Sequence, residues 1–239
     1  MKLAISSAAF DRSLESGDLT QLEWLERCAN TLDVDGVTFD LAHFPRRDRD
    51  YLAQLKKMAV DGGLTVAALE ARGFFTEADD EARATLVTTA AALGAPLIVA
   101  PLPPQSEIPA AGYNETVRAG KLAARAAKAA NVPLAIRNAP GTIGSNAIEL
   151  KRFAKDVDSA WLRFALDSSF IGTEERRLLE GRFVIAYARD MAALGAHRGF
   201  VCLEYGGDDP DGELPALLER ARRELFSGRQ PHVPSAYPV

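Results

Sequence analysis

The stretch VPLAIRNAPGTIGSNAIELKRFAKDVDSAWLRFALD, residues 132–167, decides the fold. It opens on an apolar run, Val132–Arg137, that reads as a strand. A polar, glycine-containing segment follows, and Ser145 caps a helical pattern that continues through Asp156. A second apolar run, Trp161–Asp167, then returns as a strand. Strand, loop, helix and strand in this order make one βα repeat, recognised by the change of hydrophobic period from the helix value to a short continuous run.

The same alternation extends to both ends of the chain. Strands are expected at Leu3–Ser6, Gly36–Asp40, Leu64–Glu70, Pro96–Pro101, Phe183–Tyr187 and Phe200–Glu204 as well. Helical patterns fall at Leu19–Thr31, Tyr51–Asp61, Gly112–Ala130, Thr173–Glu180 and Glu213–Phe226, with a short one near Asp190–Leu194. One more helix is expected to start at Thr76, with Glu77, Asp79, Asp80 and Glu81 in a first turn that suits the helix dipole. Strict alternation implies a parallel sheet with helices outside it. Eight units without a reversal point fit a closed α/β barrel, the (β/α)8 or TIM barrel, as a single domain over residues 1–228. Residues 229–239 lack periodicity and read as an extended tail. No strand is followed by Gly-x-Gly-x-x-Gly, which argues against a dinucleotide site.

Composition narrows the partners. The chain has 239 residues, 47% of them hydrophobic, and a formal net charge of −5. No basic stripe stands out, and Pro45–Asp50 alternates arginines with acids, so no nucleic-acid partner is expected. No apolar run approaches a membrane span, and the opening Met1–Ser6 is too short for a signal core. Cys28 and Cys202 are far apart and read as buried free thiols, and no Cys/His cluster has zinc spacing. A reducing cytoplasm is the expected setting.

In a barrel of this kind, function collects where strands end. That rule selects Ser6 and Ser7, Asp40 and His43, Glu70 and Arg72, Arg137 and Asn138, Asp167 with Ser168 and Ser169, Tyr187 with Arg189 and Asp190, and Glu204 with Tyr205. Several have an ordinary reading: Asp40 and Ser168 could cap helices, Arg72 and Arg189 could be solvated, and His43 could be a hydrogen-bonded histidine. Arg137, Asp167, Tyr187 and Glu204 are harder to set aside, because charged and polar groups gathered in one mouth cost desolvation unless they pair or bind something.

These positions carry a family resemblance. Leu134-Ala135-Ile136-Arg137-Asn138, Phe164-Ala165-Leu166-Asp167, Tyr187-Ala188-Arg189-Asp190 and Val201-Cys202-Leu203-Glu204-Tyr205 fit in order and spacing, as do Lys2–Ser6 and Asp35-Gly36-Val37. The chain resembles the xylose isomerase-like sugar isomerases and epimerases along nearly its whole length. The resemblance implies a divalent ion held by Glu, Asp, His and Glu on strands five to eight, with the two Glu as paired bases. The matched positions here are Arg137, Asp167, Tyr187 and Glu204, and the helper histidines fall at Phe170 and Ala139. The usual set carries three negative charges, whereas this one carries a single net negative charge. A planar, permanently charged guanidinium can stand in the ion's place and bridge both carboxylates. The metal site is therefore degenerate; no metal and no cofactor are expected.

Two functions compete at this point. One is a descendant that binds a small carbohydrate or hydroxy acid without the metal-dependent reaction. The other is a metal-free isomerase, epimerase or lyase with Glu204, and with it Asp167, in the catalytic role. Arg137, Asn138, Tyr187, His43, Glu70 and Arg72 are the expected substrate-binding residues in either case. Three arginines near the mouth, Arg72, Arg137 and Arg189, would favour a sugar acid over a neutral sugar. A non-catalytic descendant could bind a protein partner in place of the small ligand, and a second copy of the chain, in a homodimer, is the other macromolecular partner considered.

Overall fold

The computed structural model describes residues 1–75, 80–105, 112–179, 181–194 and 197–227. Eight parallel strands close into a barrel in sequence order. They are β1 (Lys2–Ser6), β2 (Gly36–Asp40), β3 (Thr65–Glu70), β4 (Ile98–Pro101), β5 (Leu134–Arg137), β6 (Leu162–Asp167), β7 (Phe183–Ala188) and β8 (Phe200–Leu203). Closure is made by β1 pairing with β8, Ala4 opposite Cys202. The helices are α1 (Asp11–Ser16), α2 (Gln21–Asn30), α3 (Arg49–Asp61), α4 (Asp80–Leu93), α5 (Gly112–Ala130), α6 (Ala147–Val157), α7 (Thr173–Arg177) and α8 (Pro210–Ser227). The (β/α)8 barrel read from the sequence is the fold observed.

Local chemistry explains the boundaries. Thr20 and Glu23 form a reciprocal capping box at the start of α2. Asp48 accepts the Tyr51 N–H to start α3. At α6 the cap is Asn146, which accepts the Glu149 N–H, and not Ser145 as expected. The sequence places two capping residues side by side there, and the second has the extended backbone that a cap requires. Between β7 and β8 the helical pattern produces only a 3-10 turn, Met191–Leu194. The Thr76 cap and the tail beyond Ser227 lie outside the described residues.

The core has two layers. Strand side chains facing the helices, among them Ile5, Val37, Ile98, Ile136, Leu166 and Leu203, join the helix faces in one buried cluster. Trp24 of α2 sits there fully buried, edge-on to Phe39 at 5.2 Å. Inside the barrel is a second cluster built largely from small residues: Ala4, Ala67, Ala68, Ala135 and Ala165, with Val99, Ile185, Cys202 and the ring of Tyr187. Gly36 enters β2 where a Cβ would lie 2.5 Å from the Thr65 carbonyl and 2.7 Å from the Phe200 ring, so only glycine fits. Above the alanines, at the ends of the strands, longer polar side chains enter the barrel.

Candidate functional site

The inward-facing residues at the strand ends follow from the two-residue period of a strand. On β5 the period that puts Ala135 inside also puts Arg137 inside, and on β6 it pairs Ala165 with Asp167. Tyr187 lies opposite Asp167 on one side and Cys202 on the other, and Glu204 follows two residues after Cys202. The Glu204 N–H donates to the Ala188 carbonyl at 2.9 Å, which extends the β8 register by one residue and fixes that side chain over the mouth.

These four residues meet. A single nitrogen of Arg137, Nη2, lies 2.7 Å from Asp167 Oδ2 and 2.9 Å from Glu204 Oε1. The guanidinium carbon stands 4.0 Å from the centre of the Tyr187 ring, a cation–π contact made in a desolvated place. The side chains of Arg137 and Glu204 are 20% and 26% exposed, so a ligand could still reach this edge, while Asp167 and Tyr187 are buried. Below them, Thr38 donates to Glu70 Oε1, and its Oγ1 lies 3.7 Å from Cys202 Sγ.

The electrostatics follow from that geometry. Burial alone would make Arg137 a weaker base, but Glu204, Tyr187, Glu70 and the bond to Asp167 reverse this and hold its proton more firmly. Burial raises the proton affinity of Glu204; Arg137 opposes the rise, while Asp167 and Glu70 add to it. Burial and Glu70 push the Tyr187 phenol well above its ordinary range. With all its carboxylates ionised, the cluster of Arg137, Asp167, Glu204 and Glu70 retains two negative charges.

A second network spans the ends of β1, β2 and β3. Ser7 Oγ accepts the Asp40 N–H and lies 2.8 Å from His43 Nδ1. His43 Nε2 is 2.7 Å from Asp11 Oδ1. Arg72 closes the ring, with Nε 2.8 Å from Asp40 Oδ2 and Nη2 3.9 Å from Asp11 Oδ2.

Three of the expected substrate-binding residues are engaged within the chain. Asn138 is fully buried, and its amide exchanges two hydrogen bonds with the backbone of Asp167, at 2.9 and 2.7 Å. It positions Asp167 and presents no group to the mouth. His43 has both ring nitrogens engaged and its side chain is 1% exposed, so it braces loops together. Tyr187 offers its ring face to Arg137, while its hydroxyl is buried without a partner. Glu70 and Arg72 remain at the mouth, Glu70 with its carboxylate anchored by Thr38 and Arg72 exposed but ion-paired. Thr38 and Asp11 were not singled out from the sequence. Thr38 shares the inward face with Asp40 by the two-residue period, which is the signal that could have found it.

A divalent ion does not fit this arrangement. Of the four matched positions, Arg137 cannot be a ligand and the Tyr187 ring is covered by the guanidinium. The two carboxylates left, Asp167 and Glu204, are both bonded to that same group. Among the described residues, no three His, Cys, Asp or Glu side chains come together in a way that could hold a metal.

The chain belongs to the xylose isomerase-like TIM barrel family, whose profile matches residues 26–180. Solved structures of similar fold include the probable 3-DHS dehydratase AsbF of Bacillus anthracis, with a TM-score of 0.73 at 12% identity over 95% of this chain and 99% of that one. D-allulose 3-epimerase from Methylomonas sp., in complex with D-allulose, gives a TM-score of 0.72 at 15% identity, over 96% and 97% of the two chains. A xylose isomerase domain containing protein from Salmonella typhimurium gives 0.70 at 12% identity, over 95% and 96%. At these identities the likeness is one of fold. No curated protein matches by sequence. Among the described residues no helix is long and apolar enough to cross a membrane, and both cysteines are buried free thiols.

Proposed function

We propose that this barrel binds a small, hydroxyl-rich, carbohydrate-like ligand at the mouth and does not run the metal-dependent isomerase or epimerase reaction. The observation that carries this reading is the single Arg137 nitrogen shared between Asp167 and Glu204. A cation already bridges the two carboxylates that would otherwise face each other. The setting proposed is a reducing cytoplasm, where the free thiols Cys28 and Cys202 persist.

Ligand contacts would come from the groups that the network leaves over. Arg137 uses Nη2 for both ion pairs, so its Nε and Nη1 hydrogens are available to a ligand carbonyl or hydroxyl. Glu204 Oε2 and the exposed edge of the carboxyl can accept hydroxyl protons. This mixture of donors and acceptors suits neighbouring hydroxyl groups. The epimerase of similar fold was solved with D-allulose, which supports a ligand of that size and chemistry.

The expectation that a sugar acid is preferred changes with the geometry. Arg72 is held by Asp40 and Asp11, and Arg137 by Asp167 and Glu204 with Glu70 nearby. Carboxylates outnumber arginines in both networks, so a neutral polyol should bind better than the matching acid. Thermal-shift measurements with neutral sugars and alditols against their aldonic acids, at equal concentration, test this. Neutral ligands are expected to stabilise the protein in a manner lost in Arg137→Ala. Stabilisation by acids alone, or shifts unchanged in Arg137→Ala, would refute the reading.

A second reading, metal-free proton transfer by Glu204, is favoured by its raised proton affinity and partial exposure. Incubation of ligand in D2O separates the two. Deuterium incorporation abolished by Glu204→Gln would establish the second reading; none is expected under the first.

A further inference from the structure

We infer that the outer face of α5 and α6 is a docking surface for an acidic amphipathic helix of a protein partner. No run of consecutive basic residues announces this face in the sequence. The helix assembles one. Arg118, Lys121, Arg125 and Lys128 follow one another at intervals of three, four and three residues, and all four are exposed. At the rise of an α-helix the ladder is about 15 Å long. The opposite face, Thr116, Val117, Ala119, Gly120, Ala123, Ala124 and Ala127, is buried against the barrel.

The neighbouring helix extends the face. Gly120 lets α5 approach α6 closely, since a Cβ there would meet Val157 at 2.8 Å and Phe153 at 2.9 Å. Tyr113 donates to Asp156 at 2.8 Å, and Arg152 covers the Tyr113 ring at 4.5 Å. Lys151 and Lys155 of α6 are exposed too, on a helix that also pairs Arg152 with Asp156 at 3.9 Å. Among the described residues, Lys121, Arg125, Lys128, Lys151 and Lys155 make no ion pair, and Arg118 only approaches Asp80 at 4.0 Å.

A solvated helix face ordinarily mixes both signs, and α8 of this protein does so, pairing Arg220 with Glu224 and Arg223 with Glu219. The only acid on α5 is Glu115, in its first turn. A ladder of one sign on a chain with net charge −5 is therefore a segregated charge, complementary to carboxylates at the same helical pitch. Beside the cations run Leu122, Ala126 and Ala129, half-buried or exposed, and mostly small enough for a second helix to come close. Among the described residues no exposed large hydrophobic residue lies on α5, and on α6 only Ile148, 70% exposed, does. The face presents no free aromatic ring for base stacking, and a single isoleucine is a weak anchor for lipid insertion.

Fluorescence anisotropy on the full chain tests the surface. The probe is a labelled helical peptide of alanine and leucine with glutamates at three- and four-residue intervals. The comparison probes are the same composition scrambled, phosphatidylserine vesicles and a single-stranded oligonucleotide. The patterned peptide is expected to bind, to weaken as salt rises, and to lose at least tenfold in affinity with Lys121→Glu/Arg125→Glu/Lys128→Glu. If that variant unfolds, Lys121→Ala/Arg125→Ala/Lys128→Ala takes its place, since alanine favours the helix. Undiminished binding by a folded variant, or equal binding of the scrambled peptide, would overturn the proposal. So would vesicles or oligonucleotide binding more tightly through the same residues, or a dimer of this chain that the substitutions dissolve.

Discussion

At the residue scale, Arg137 stands at a position that the family resemblance gives to a metal ligand. Its guanidinium carbon lies 4.0 Å from the centre of the Tyr187 ring while one nitrogen serves two carboxylates. Arg137→Ala would leave Asp167 buried without its partner. The expected cost is about 3 kcal/mol, the low end for breaking a buried pair because the arginine edge still touches water. Urea denaturation measures it. A pH effect accompanies the loss. Glu204 binds its proton more tightly in the folded chain than in the unfolded one, chiefly through burial. Such a carboxyl contributes stability that is fully present below the ordinary carboxylate range and is lost as pH rises through the raised value. Removing Arg137 withdraws the influence that holds that value down. Between about pH 4 and pH 7, where carboxyls of normal and raised affinity titrate, Arg137→Ala should lose more stability than the parent. Glu204→Gln added to the variant should remove the difference; a difference that persists would assign it elsewhere.

At the element scale, the ends of β5 and β6 are tied by Asn138. Its side chain imitates a strand neighbour, giving and taking a hydrogen bond with the Asp167 backbone just where the sheet ladder stops. Asn138→Ala leaves a buried N–H and a buried C=O unmatched, at about 2–3 kcal/mol together. It should also weaken ligand binding by displacing Asp167. Calorimetry on the folded variant checks this, and unchanged affinity would separate Asn138 from the site. The sequence made the strand ends legible but not this division of labour. Asn138 and Arg137 are adjacent, and the two-residue period sends them to opposite faces of the strand. Likewise Ser7 and Asp11, just after β1, meet His43, just after β2, across a separation in sequence that no local pattern bridges. The turn Met191–Leu194 was read as a helix because four helix-forming residues in a row do not show that the pattern is too short to continue.

At the scale of the whole molecule, the barrel was legible because parallel strands are buried on both faces and read as apolar runs between helices. The same property hid which residues point inward. Ile5, Val37, Val66, Ile98, Ile136, Leu166, Ile185 and Leu203, one apolar residue from each strand, are all buried, but only Ile185 belongs to the inner cluster. The interior is instead the alanine-lined space that admits Tyr187 and, above it, Arg137. The xylose isomerase-like barrel is kept around a mouth that, under the proposed function, carries its cation in the chain. A calorimetric titration with Mn²⁺, run on the purified protein and on Arg137→Glu/Tyr187→His, tests this most directly. The double substitution restores Glu, Asp, His and Glu at the matched positions. The parent is expected to give no saturable heat and the variant to bind stoichiometrically. Stoichiometric binding by the parent, abolished by Asp167→Asn, would contradict the assignment of Arg137 as the resident cation.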